Sequence, residues 1–387
     1  MNRSHRAPAA DILRVASIGI VGWYHIWQQS WLNPSFTLFG HYFNLYPLVS
    51  RGYMVVYVMF MLSGFVLMLG SLNGKYPSVR RFYLSRAARI VPSYLMCLAI
   101  FGFFVIIPDD AYPSTGFMLK DVLSHLTFTH NLFYEGYQAS HFSHALWTIA
   151  VEMQFYLIFP LLAHWFKKKP ILTFAGMLLF STLVKLLIHA YIPDSTLYIN
   201  RLSTTLDIFG VGMLGAYIYF KAKEREAGKI PKLAFALAGL ACVAGAHFLM
   251  KWLATYTGSE AQRQAQMWFA LPLSLLMCVF TVCLSLSFEW VRKICSNRVI
   301  LFLSGISYNF YIWHQTIAVR LKEARIPSYT GDSPNVDGQA VWQHRYTLVC
   351  FIAALLFAAF MTYIIEKPCA RALAPRREEK ACQPPNS

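Results

Sequence analysis

The chain has 387 residues, 57% of them hydrophobic and 16% aromatic but only 13% charged, a balance that no soluble domain of this size needs to fill its core. Its formal net charge of +16 would suggest a nucleic-acid partner in a soluble protein. Here the basic residues gather in alternate loops between long apolar runs, which is the patterning of membrane topology, so no nucleic-acid partner is expected and lipid is the solvent.

Spanning a hydrocarbon core takes about 20 apolar residues in a helix. Ten such runs recur, at 11–31, 52–72, 92–108, 144–166, 171–191, 204–221, 233–252, 267–288, 301–321 and 345–365. They are too long for barrel strands, and a backbone in lipid must satisfy its own hydrogen bonds, so the expected fold is an all-α bundle of about ten transmembrane helices. The basic loops put both termini in the cytoplasm. The first run carries Arg14 and His25, unlike the apolar centre of a cleaved signal peptide, and is read as a retained span. The whole of 1–387 reads as one multi-pass domain of the cell membrane.

In chain order, Arg14 opens the first span and His25 follows eleven residues later. That is close to three helical turns, so the two share a stripe, with His25 about 16 Å deeper. The cluster Arg80-Arg81-Phe82-Tyr83-Leu84-Ser85-Arg86-Ala87-Ala88-Arg89 precedes Pro92, a residue suited to opening the third span. Arg86 and Arg89, at i and i+3, present two guanidinium forks that can grip phosphate oxygens. Lipid headgroups and topology are the competing reading, which spacing alone favours.

The fourth span runs inward from the external side with His144, Thr148 and Glu152 at i, i+4 and i+8. Glu152 lies about 12 Å below that boundary. Lys185 in the fifth span could snorkel or pair. The ninth span repeats a polar stripe with Ser304, Ser307, Tyr311 and His314. His25, Glu152 and His314 thus reach comparable depth on three spans, which suggests one shared polar cavity. Since each ionisable group inside a membrane costs about 3 kcal/mol or more, their coincidence asks for a function, although interhelical bonding alone could also explain each. A histidine and a carboxylate in low dielectric suit general-base chemistry.

The loops at 109–143 and 322–344 are long and external. His41, His125, His130, His141 and His344 fall in external loops and read as surface residues rather than a zinc cluster, so no metal is expected. All eight cysteines fall in helices or cytoplasmic loops, as reduced thiols would.

These residues resemble acyltransferase family 3, integral membrane acyltransferases that modify surface polysaccharides, peptidoglycan and some small metabolites. The likeness covers nearly the whole chain. It is carried by Leu13-Arg14 through His25, Phe60-Met61-Leu62-Ser63-Gly64-Phe65, Arg86 with Arg89, and the segment from Leu146-Trp147-Thr148 through Glu152 to Tyr156. Ser307-Tyr308-Asn309-Phe310-Tyr311-Ile312-Trp313-His314 and Tyr363-Ile364-Ile365-Glu366-Lys367-Pro368 complete it. One departure is that Val55-Val56-Tyr57-Val58-Met59, before Ser63, holds no acidic residue, where relatives often have one.

The resemblance implies that His25 is catalytic, that Glu152 supports it, and that Arg14, Arg86 and Arg89 hold an acyl-CoA donor. The expected function is O-acyl transfer, with acetyl the first choice, from cytoplasmic acyl-CoA to a hydroxyl of a surface carbohydrate or related acceptor. His25, oriented by Glu152, would deprotonate the acceptor, or would itself carry the acyl group in transit. His314, Tyr311 and Asn309 would line the acceptor side or stabilise the oxyanion. The expected partners are acyl-CoA, the hydroxyl acceptor and membrane lipid, with no permanently bound cofactor. A transporter would share the polar stripes but would not need Arg86 and Arg89.

Overall fold

A computed structural model of the chain describes residues 6–107, 112–224 and 231–373. Among these residues ten long helices stand where the apolar runs were expected: α1 (Ala9–Ser30), α2 (Val55–Leu72), α3 (Val79–Phe101), α4 (Trp147–Lys168), α5 (Pro170–Tyr191), α6 (Leu202–Glu224), α7 (Lys232–Leu253), α8 (Ser259–Leu286), α9 (Arg298–Glu323) and α10 (Ala340–Phe360). Eight of them are long and apolar enough to cross a membrane. The other two are α1 and α9, whose inward faces carry Arg14, His25, Asn309 and His314. The chain is an all-α polytopic membrane protein.

Two boundaries differ from expectation. Helix α3 begins at Val79, where the Ser78 hydroxyl accepts the Arg81 N–H at 3.2 Å. The basic cluster therefore lies on the first turns of the helix, and Pro92 sits inside it rather than at its start. Helix α8 begins at Ser259, so Gln262, Arg263 and Gln266 are helical. In both cases the first turns are polar, and an apolar run marks only the part of a helix that meets lipid.

Helices α2 and α6 pack along small residues. A β-carbon on Gly64 would overlap the Phe209 carbonyl, and one on Gly212 would overlap that of Met61. In lipid, close backbone approach through glycine replaces the hydrophobic drive that joins helices in water. The stacked rings of Phe60, Phe209 and Phe155, with centroids 5.1 and 3.9 Å apart, extend this contact to α4. Between α5 and α6 the Lys185 ammonium meets the Asp207 carboxylate at 2.6 Å, both fully buried.

The region after α3 is folded rather than an open loop. Thr115–Leu126 is a helix whose Ser114 cap accepts the Phe117 N–H at 3.2 Å. His125 and His130, expected at the surface, are each only 1% exposed. Their rings stack 4.0 Å apart, and His125 Nδ1 bonds to the Asp121 backbone carbonyl at 3.0 Å, while the buried Asp121 carboxylate accepts from Tyr112 and Ser140 through Oδ2. Asn131 donates to the Asn200 carbonyl and accepts from Gln154 of α4, which clamps the region onto the bundle. A short antiparallel hairpin, Ser35–Leu38 with His41–Asn44, turns through Phe39 and Gly40 at φ of 50° and 77°, the backbone that a two-residue hairpin turn requires.

Candidate functional site

Helices α1 and α9 cross where Gly22 lies against the Phe310 ring. His25 stands three residues beyond Gly22 and His314 four beyond Phe310, which is one helical turn in each case. The crossing therefore brings the imidazoles together, with His314 Nε2 2.9 Å from His25 Nδ1. The ring centroids are 4.9 Å apart, at 55°. His25 Nδ1 also lies 3.1 Å from the Val21 carbonyl. His314 Nδ1 lies 2.8 and 3.1 Å from the carbonyls of Tyr311 and Phe310.

Towards the end of the bundle where α1 begins, a cavity is lined by Arg14 from α1, Ser63 from α2, Arg86 and Arg89 from α3, and Glu152 from α4. Helix α3 thus turns both of its paired arginines to the same space as Arg14. The Arg86 guanidinium is nearly buried and rests on the rings of Tyr76 and Tyr156, 5.8 and 6.0 Å from their centroids. Arg14 reaches Ser304 Oγ at 3.4 Å, and Ser304 in turn donates to Asp11. Three cations against one carboxylate leave the cavity electropositive, and enclosure strengthens their pull on an anion.

Glu152 accepts hydrogen bonds from Ser63, at 2.9 Å, and from Tyr156. The close α2–α6 contact at Gly64 sets Ser63 in this position. The side chain bonded to His25 is His314, not Glu152. Asn309 is fully buried and turns its amide to Thr362 and Glu366 on the helical segment after α10, at 2.9 and 2.7 Å. Tyr311 lines the electropositive cavity directly.

Adjoining the arginine cavity at Val56 and Tyr311 is a second cavity of about 340 Å³. His25 opens into it, together with Tyr24, Tyr53, Asn200, Gln262 and Gln266. Asn200 and Gln266 are held by the Tyr57 hydroxyl at 2.9 and 2.7 Å, so this wall is a connected hydrogen-bond network. Val56 and Tyr311 line both cavities. Sequence reading passed over Gln262 and Gln266 because they lie in the polar first turns of α8. Their i, i+4 spacing was the available signal, and it needs the true helix start to be seen.

A family model described as an acyltransferase domain matches residues 8–364. Among curated proteins, the chain is 24% identical to the O-acetyltransferase OatA of Staphylococcus aureus strain NCTC 8325 / PS 47 over 305 residues, covering 73% of this chain and 49% of that protein. It is 22% identical over 330 residues to a putative O-acetyltransferase, SACOL0978, of Staphylococcus aureus strain COL, covering 79% of this chain and 50% of that protein. The chain thus spans about half the length of the curated relatives it matches. No solved structure matches it.

Proposed function

The chain belongs to acyltransferase family 3, and from that premise we propose that it is a membrane O-acetyltransferase taking its acetyl group from acetyl-CoA at the cytoplasmic side and passing it to a hydroxyl of a carbohydrate at the other. The observation that carries this reading is the pair of cavities that meet at Val56 and Tyr311, with His25 lining the second of them. One is electropositive and held by Arg14, Arg86 and Arg89. The other is walled by tyrosines and amides, the groups that stack on and hydrogen-bond to polyhydroxylated rings.

Basic residues concentrate at the end where α1 begins, which supports a cytoplasmic position for the arginine cavity. The donor's phosphates would bind there, and its narrow pantetheine arm would extend past Tyr311 towards His25. His25 takes the proton of the acceptor hydroxyl as that oxygen bonds to the thioester carbonyl carbon. The tetrahedral intermediate then collapses with cleavage of the C–S bond, and the departing thiolate receives the proton from the His25 imidazolium. The products are an ester and a free thiol. Glu152, held by Ser63 and Tyr156, balances part of the arginine charge beside the donor.

The test is binding and slow hydrolysis of radiolabelled acetyl-CoA by the purified full chain. Arg86→Ala/Arg89→Ala is expected to lose binding, and His25→Ala to bind without turnover. A wild-type protein that neither binds nor hydrolyses any acyl-CoA overturns the reading in favour of a carrier.

A further inference from the structure

We infer that His314 is the positioning residue of His25, holding it as the Nδ1–H tautomer so that Nε2 is the atom that takes the acceptor proton. A backbone carbonyl can only accept, so His314 Nδ1, which faces the carbonyls of Tyr311 and Phe310, carries the hydrogen. In the neutral ring Nε2 is then a bare acceptor. It faces His25 Nδ1 at 2.9 Å, so that nitrogen donates. The Val21 carbonyl, 3.1 Å from the same nitrogen, requires the same assignment independently.

One arrangement satisfies all four contacts: Nδ1–H on both rings, and the lone pair of His25 on Nε2. A charged His314 would aim a second hydrogen at the His25 N–H, which the 2.9 Å approach does not allow. His314 is 1% exposed, so water does not compete for its acceptor nitrogen. Nor does Glu152 take this part: its Oε1 accepts from Ser63 and Tyr156, and the side chain that meets His25 is His314.

The arrangement matters most during transfer, and in that respect it rests on the acyl-transfer reading given above. As His25 Nε2 gains the hydroxyl proton, positive charge spreads over the ring and the Nδ1–H bond to His314 strengthens. A neutral imidazole thereby does what a carboxylate does in a serine-protease triad, fixing the tautomer and steadying the imidazolium. It does so without adding a buried anion.

The experiment compares His314→Phe and His314→Gln in the full chain in lipid nanodiscs, by acetyl-CoA hydrolysis and by nitrogen NMR of 15N-histidine-labelled protein. Phe removes the acceptor and is expected to lower kcat roughly 10- to 100-fold with KM for acetyl-CoA unchanged. Gln, whose Oε1 can stand where Nε2 stood, is expected to recover most of that loss. In wild type the His25 signals, identified by their absence in His25→Ala, should show a protonated Nδ1 and a bare Nε2. A protonated Nε2 in wild type overturns the inference, as do Phe and Gln variants that are equally slow or equally fast. If wild type turns over no acetyl-CoA, the acyl-transfer reading fails, and the NMR assignment still decides the tautomer.

Discussion

Gly22 and Phe310 touch so closely that a β-carbon on Gly22 would stand 2.8 Å from the Phe310 ring. The meeting of His25 and His314 one turn further on depends on that contact. Gly22→Leu should therefore hold the two helices apart and lower acetyl-CoA turnover on the order of 100-fold, the cost of displacing a reacting group by about 1 Å. Acetyl-CoA binding should largely survive, because Arg86 and Arg89 stand on α3, outside this crossing, with Arg86 resting on Tyr76 and Tyr156. Parallel binding and turnover assays check this, and unchanged turnover would show that the crossing does not position the histidines.

Arg86 and Arg89 differ from Lys in offering planar, bidentate forks. Replacing both with Lys should raise KM for acetyl-CoA roughly 10-fold, and replacing both with Ala by 100-fold or more, on the order of one to two charge-assisted hydrogen bonds. Acetyl-pantetheine, which lacks the nucleotide and its phosphates, should be used equally by all three proteins. A loss of activity with the truncated donor would assign these residues to folding instead.

Burial, with the His125 ring beside it, holds His130 well below the ordinary histidine value. An unfolded His130 takes up a proton as pH falls through about 6.5, whereas the folded one does not until lower pH. Across that window the unfolded state binds more protons, so the segment loses stability as pH falls, by up to about 1.4 kcal/mol per pH unit. Limited proteolysis of residues 112–143 should accelerate from about pH 7 to pH 5. In His130→Phe, which takes up no proton, the acceleration should largely disappear.

Lys185 and Asp207 form a buried pair at 2.6 Å. Asp207→Asn would leave the ammonium without its counter-charge, at a cost of about 3–5 kcal/mol. Thermal unfolding in detergent should register this as a marked loss of Tm. Adding Lys185→Met should restore much of it by removing the stranded cation, and no recovery in the double variant would point to a role for Asp207 beyond the pair.

Much of the site was legible because polar groups in lipid are costly. His25, Glu152 and His314 stood out against apolar spans, and spacing along each helix yielded a common depth. Depth is one coordinate, however. It does not give the direction in which a side chain points, so Glu152 was assigned to His25 when its partners are Ser63 and Tyr156. Asn309 was grouped with the acceptor for the same reason, although its amide turns to Glu366. The pairing of Arg86 with Arg89 came through correctly even though the helix start did not, because i, i+3 spacing holds wherever α3 begins. His125 and His130 were misjudged as surface residues because their burial depends on Asp121, Tyr112 and Ser140 meeting across a fold that leaves no periodic trace.

Val56 and Tyr311 line both cavities, so the partition between them is about one side chain thick. Water entering each cavity would bring bulk potential to either face of that layer, and a membrane voltage would fall across it rather than across the full hydrocarbon thickness. A full charge moving through the layer would then meet nearly the whole field, about 2.3 kcal/mol at 100 mV. Under the proposed reading the acetyl group, which carries no charge, would cross without electrical work, while the phosphates of the donor would stay on their own side. A partition this thin would thus set no electrical barrier to a neutral group while opposing or driving any charged one.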